Sequence, residues 1–488
     1  MTTSPLADMK IHDDAPLKDA LALIDCNAQG IVFAIDSASR LTGILTDGDI
    51  RRLILAGMQL DVPVSKVMQR EFVWRHINTD TKEILGLLDE RIRHIPLVDG
   101  QHVLVDYACI HRLHRIQVME PLLTGNELSY VTECIKTNWI SSQGPFVRKF
   151  EKMLSDYCGM PYALSTSNGT TALHLALEAL GIGQGDEVIV PDLTFAATIN
   201  CVLHAKAIPI IVDIDPVTWT ISPELIRKAI TPKTKAIIPV HLYGQPCAMG
   251  EILSIAKEHG LFVVEDCAEA LGSSIEGRMV GSFGDVAAFS FFGNKTITTG
   301  EGGMLLFKDL AVHSRAAMLR DHGMTPGRRY WHETVGFNYR MTNLQAAVGV
   351  AQMERVDEFI KRKLRIGEVY KSCFAGHAEV QTPSLVSNTL NSYWLFSMLL
   401  APSAKISRDE MMGKLLANGV ETRPLFYPLH EMPPYKQFSQ QGPFHVSTDI
   451  SARGMSLPSA VTLTNREVRG IGEKIVSLFA VKSMLAKM

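Results

Sequence analysis

The stretch Val263-Val264-Glu265-Asp266-Cys267-Ala268-Glu269-Ala270 decides the fold. Two β-branched residues run into two acids, which reads as a buried strand with charge at its C-terminal end. Open α/β sheets bind ligands at that end of their strands. A carboxylate there can keep a pyridine nitrogen protonated and so make the ring an electron sink. A solvated strand end or a helix cap explains the same residues equally well.

Outward from this point the pattern repeats. Short apolar runs at Val188 to Val190, Ile208 to Val212, Ala236 to Ile238 and Leu261 to Val264 alternate with helical stretches, the mark of a large α/β domain with a mainly parallel sheet. Downstream, Ala288-Phe289-Ser290-Phe291-Phe292-Gly293-Asn294-Lys295-Thr296 leads into Gly300-Glu301-Gly302-Gly303. A lysine between an aromatic run and a glycine turn is unlike a surface lysine. Burial lowers a lysine pKa, and a neutral amine forms Schiff bases. Upstream, Ser165-Thr166-Ser167-Asn168-Gly169-Thr170-Thr171 opens an apolar-periodic helix. Its N-terminus suits a phosphate, although an ordinary N-capped helix is the simpler reading. In Gly336-Phe337-Asn338-Tyr339-Arg340-Met341-Thr342-Asn343, Arg340 suits a diphosphate or a structural ion pair, and Thr342 or Asn343 a helix cap.

Residues from about 119 onward resemble the DegT/DnrJ/EryC1/StrS sugar aminotransferases, and the motifs above come in that family's order. The resemblance implies an α/β, fold-type I (aspartate aminotransferase-like) transferase that uses pyridoxal 5'-phosphate, with a large domain over 119–370 and a small C-terminal subdomain over 371–488. It implies that Lys295 binds the cofactor covalently and that Asp266 pairs with the ring nitrogen. Glu269 lies near the ring hydroxyl, Phe195 stacks on the ring, and Gly169, Thr170 and Ser290 hold the phosphate. Asn338 reaches the phosphate of a neighbouring subunit in a homodimer with shared sites. Many members carry Gln where this chain has Glu269. The branch that makes GDP-perosamine carries Glu. That branch implies L-glutamate as donor, GDP-4-keto-6-deoxy-mannose as acceptor and a role in O-antigen or similar surface glycans. His322, Arg340, Arg423 and His430 are candidates for the sugar pocket. The alternatives are a UDP- or dTDP-linked keto sugar, or a scaffold without catalysis.

Residues 1–115 form a separate part with an internal repeat. Leu17-Lys18-Asp19-Ala20-Leu21 resembles Thr81-Lys82-Glu83-Ile84-Leu85, and Ile35-Asp36 has its echo in Val98-Asp99. The part resembles an α+β pair of CBS repeats, strongest at Gly43-Ile44-Leu45-Thr46-Asp47-Gly48-Asp49. By that resemblance Thr46 and Asp49 would contact the phosphate and ribose of a purine nucleotide. The second repeat lacks the matching Gly and Thr around Val103 to Tyr107. A pair that only helps dimerisation is the equal alternative.

The bulk numbers set limits. With 46% hydrophobic and 20% charged residues, a net charge of -3 and no long basic run, nucleic acid is excluded as the main partner. No apolar stretch is long enough for a bilayer, and the N-terminus has no secretory h-region. The eight cysteines are scattered without zinc spacing, so no metal is expected. Reduced thiols in a cytoplasmic protein are the expectation.

Overall fold

The computed structural model describes residues 6–89, 91–109, 116–325, 327–384 and 388–485. The chain forms two compact units, residues 1–117 with 409–422, and residues 118–408 with 423–488. The boundary expected at residue 115 lies outside the described residues.

In the first unit the internal repeat is visible as topology. The strands Lys10–His12, Ile31–Ile35 and Leu41–Thr46 form one sheet, and Arg75–His76, His94–Val98 and Leu104–Cys109 form another. In each, the first pair is parallel and the second antiparallel. Each antiparallel pair has an irregularity at the same place, Ala34/Ile35 and Leu97/Val98. The echo of Ile35-Asp36 in Val98-Asp99 has a physical reason. Asp36 accepts the N–H groups of Ala38 and Arg40, and Asp99 those of Gln101 and Val103, so each aspartate closes the same turn. The 409–422 segment joins this unit through Ile116, which pairs with Val420.

The second unit is built on a seven-stranded sheet. Its order is Tyr162–Thr166, Gly303–Phe307, Val286–Ser290, Phe262–Asp266, Thr234–Ile237, Glu187–Pro191 and Ile208–Val212. Only Gly303–Phe307 runs against the rest. Successive strand residues face opposite sides. Val286 and Ala288 pack with the helix Gly169–Leu180, whereas Ala287 and Phe289 pack with Pro145–Cys158 and Asn343–Met353. The Gly169–Leu180 helix is apolar around most of its circumference and buries every residue from Ala172 to Leu177, as a helix enclosed on several sides must. This fixes its N-terminus beside the ends of the central strands.

Of the residues expected in the C-terminal subdomain, 409–422 group with the first unit. Residues 371–408 and 423–488 stay with the large domain and carry a four-stranded antiparallel sheet in the order Val380–Gln381, Phe396–Leu400, Gly454–Leu457, Arg423–Pro424. Among the described residues no helix is long and apolar enough to cross a membrane.

Candidate active site

A cavity of about 640 Å³ opens where the strands ending at Asp266 and Ser290 meet the start of the Gly169–Leu180 helix. Alternation along the first of these strands sorts its two acids. Glu265 turns into the protein and accepts the backbone N–H groups of Gly281, Phe283 and Gly284 and the His241 Nε2. It is a structural carboxylate. Asp266 turns to the cavity and accepts from Thr198 Oγ1 at 2.9 Å and the Ala268 N–H at 3.1 Å. Burial pushes its pKa up, against those donors and the charge of Lys295. A buried carboxylate in this state gains most from a cation placed against it.

Glu269 is also buried. It accepts the Tyr243 N–H at 2.9 Å and lies 3.7 Å from Lys295 Nζ. Burial pushes its pKa up to about 7, against the pull of Lys295. Tyr243 can aim its N–H this way because it sits in the left-handed region, φ 52, a strained conformation of the kind found at functional sites. Burial lowers the pKa of Lys295, opposed by Glu269 and Asp266, so the neutral amine is favoured there relative to free lysine. The amine rests over the Trp394 ring, 3.8 Å from its centroid.

The third side is an anion cradle. Asn168 caps the helix, accepting the Thr171 N–H at 2.9 Å in a capping box. The first N–H groups of a helix have no partner within it. Here the start of the helix packs against Ser290, and the approach requires glycine. A Cβ on Gly169 would lie 2.8 Å from Ser290 Cβ.

Residues 121–476 match the sequence profile of the DegT/DnrJ/EryC1/StrS aminotransferase family. The chain belongs to that family. Residues 1–56 match the CBS domain profile. The chain is 46% identical to a GDP-perosamine synthase of Escherichia coli O157:H7, over 75% of this chain and 99% of that protein. It is 47% identical to a GDP-perosamine synthase of Caulobacter vibrioides, over 73% and 96%. The Streptococcus pneumoniae protein Spr1654 in its PLP form superposes with a TM-score of 0.71 at 28% identity, covering 75% of this chain and 99% of that one. This DegT/DnrJ/EryC1/StrS member is a pyridoxal-phosphate-dependent sugar aminotransferase. Its own residues fit the cofactor: a buried lysine with lowered pKa, a buried carboxylate whose pKa burial raises, and a glycine-floored cradle at a helix N-terminus.

The cavity wall gathers Gly169, Thr170, Phe195, Asp266, Glu269, Ser290, Lys295 and, from the candidates for the sugar, Arg423. Asn338, His322, Arg340 and His430 are not on it. Arg340 pairs with Asp321 at 2.7 Å and contacts Asn338 and His322. His430 points to Asp192, 2.7 Å away, and stacks on Phe444, so it holds the fold rather than the cavity. Trp394 and Tyr243 line the site and escaped the reading of residue types. For Tyr243 the neighbouring Gly244 is a signal. Its φ of +95 and its close approach to Asn391 and Tyr393 admit no side chain. Trp394 has no local signal.

Proposed function

We propose that this chain moves the amino group of L-glutamate onto the C4 keto carbon of GDP-4-keto-6-deoxy-mannose, giving GDP-perosamine. The observation that carries the reaction is the buried Lys295 amine facing Glu269 and Asp266 at the strand ends. The choice of sugar is supported by the GDP-perosamine synthases that the chain matches over nearly their whole length.

When bound, pyridoxal phosphate supplies an aldehyde carbon for amine exchange and a ring that accepts the electron pair of a breaking C–H bond. The protein's residues do the rest. Gly169, Thr170 and Ser290 hold the phosphate with N–H and O–H donors. Asp266 keeps a proton on the ring nitrogen, and the positive charge offsets the cost of its own burial. Glu269, poised near neutrality, shares a proton with the ring hydroxyl. Phe195 covers the ring face. With the cofactor bound, Lys295 would serve as the free base: its Nζ would take the proton from the donor's α carbon and would later deliver a proton to C4 of the sugar. Arg423 is on the wall and would meet the substrate's negative charge.

The enzyme works as a homodimer with shared sites. Asn338 lies off its own cavity wall although Tyr339 beside it lines that wall, and the stretch before it exposes Tyr330, Trp331 and Val335, the last by 88%. A second copy covers this arm and receives Asn338. In the N-terminal unit the observations favour a scaffold over a nucleotide site. Asp49, the residue expected to meet a ribose, is already engaged by Thr46, Arg52 and Gln69.

Incubation with pyridoxal phosphate, L-glutamate and GDP-4-keto-6-deoxy-mannose, followed by mass spectrometry, tests the reading. The sugar gains an amine, and Lys295→Ala abolishes the product. An unchanged sugar beside cofactor bleached by glutamate keeps the aminotransferase and rejects this acceptor in favour of a UDP- or dTDP-linked one.

A further inference from the structure

Trp394 has no part in the chemistry above, yet it is held at both ends. Its indole Nε1–H donates to the carbonyl of Asn294, the residue before Lys295, at 2.7 Å. Its own carbonyl accepts from Lys363 Nζ at 2.9 Å. Between these ends, its ring face carries the Lys295 amine.

Lys363 is the unusual member. It is 0% exposed, and no carboxylate among the described residues pairs with it. Its amine donates to the carbonyls of Trp394 and Ser459 and faces Met119 Sδ at 3.2 Å. Burial alone pulls its pKa down to about 7. A buried amine without a counter-ion is costly, and an apolar side chain of the same length would fill the space without that cost. What the amine adds is fixed placement of two carbonyls, one of them Trp394's.

We propose that Trp394 is a positioning residue for the Lys295 amine and that Lys363 is its anchor. An aromatic face attracts an ammonium through the ring quadrupole. A rigid shelf also limits the wells open to a four-carbon side chain. With Glu269 3.7 Å away, Asp266 nearby and the indole beneath, the amine is confined on its charged and aromatic sides. The geometry stands by itself. Its consequence for catalysis rests on the reading of Lys295 as the cofactor lysine.

The test uses the full chain, with and without cofactor, as wild type, Trp394→Leu, Trp394→Phe, Lys363→Met and Lys363→Arg. In cofactor-free protein, acetylation of Lys295 by acetic anhydride is followed against pH by peptide mass spectrometry. Trp394→Leu lowers the titration midpoint of Lys295 by about half a unit or more, and Trp394→Phe lowers it less. Lys363→Met moves it in the same direction, and Lys363→Arg restores part of the shift. A purely structural role lowers the melting temperature and leaves the midpoint in place. Equal midpoints in wild type and folded Trp394→Leu overturn the proposal. If that variant does not fold, equal midpoints in Trp394→Phe and Lys363→Met overturn it. Borohydride reduction of the holoenzyme separates the two readings. Cofactor fixed on another lysine rejects Lys295 as the cofactor lysine, while the titration still judges Trp394.

Discussion

At the scale of single residues, three acids within five positions have three different fates. Glu265 is saturated by backbone donors, Asp266 faces the cavity, and Glu269 sits between the amine of Lys295 and the N–H of Tyr243. Glu269 gives a pH prediction with a definite sign. Its pKa is about 7 in the folded chain against an ordinary 4.5, so between these values the folded state holds a proton that the unfolded state has released. Stability therefore falls as pH rises through that window, and above it the full cost of the buried charge is present. Glu269→Gln removes the cost. In cofactor-free protein the stability of the variant relative to wild type rises by on the order of 2 kcal/mol from pH 4.5 to pH 7 and then levels off. Parallel thermal melts across that range would sink the idea. The runs around Lys295 and Asp266 suggested their settings, the family resemblance singled out Glu269, and the cavity gathers all three. Trp394 was not legible, because it meets Asn294 from a hundred residues away, and no local pattern encodes that contact. His430 shows the converse: histidine in a loop suggests chemistry, but Asp192 claims it.

At the scale of elements, the site depends on how closely one helix end approaches one strand end. The capping motif was readable, since Asn168 followed by Thr171 satisfies the first turn of a helix whoever its neighbours are. The need for glycine at 169 was not, since it comes from Ser290 on a strand far along the chain. Gly169→Val drives a side chain into Ser290 and blocks the free N–H groups. Its affinity for pyridoxal phosphate falls at least about tenfold, as read by absorbance titration of cofactor-free protein. Unchanged affinity would mean that the phosphate is held elsewhere. Four of the seven strands of the large sheet were readable to within two residues, because buried parallel strands are nearly continuous apolar runs, whereas Tyr162–Thr166, Val286–Ser290 and Gly303–Phe307 were not.

At the scale of the whole molecule, the repeat in the first unit and the alternating pattern in the second were both visible in the sequence. The assignment of residues 409–422 to the first unit was not, because a short helix does not announce which body it will pack on. The bonds around Asp49 lead to a prediction here. Calorimetry of the full chain with adenine or guanine nucleotides gives no measurable heat, because a ribose would first have to displace Arg52 or Gln69. Heat that vanishes in Asp49→Ala would restore the nucleotide site. The reversed strand Gly303–Phe307 has a consequence of another kind. Gly303 pairs with both Thr166 and Ser290, so the two halves of the anion cradle meet only when this strand has zipped between its neighbours. The cradle arises in the same cooperative step as the sheet, and the coenzyme recognises only the finished fold. By mass action, coenzyme at a hundred times its dissociation constant deepens the native well by about 2.7 kcal/mol. Abundance of this protein in a cell is thereby tied to vitamin supply: the unloaded chain visits the unfolded state more often, and proteases remove it from there.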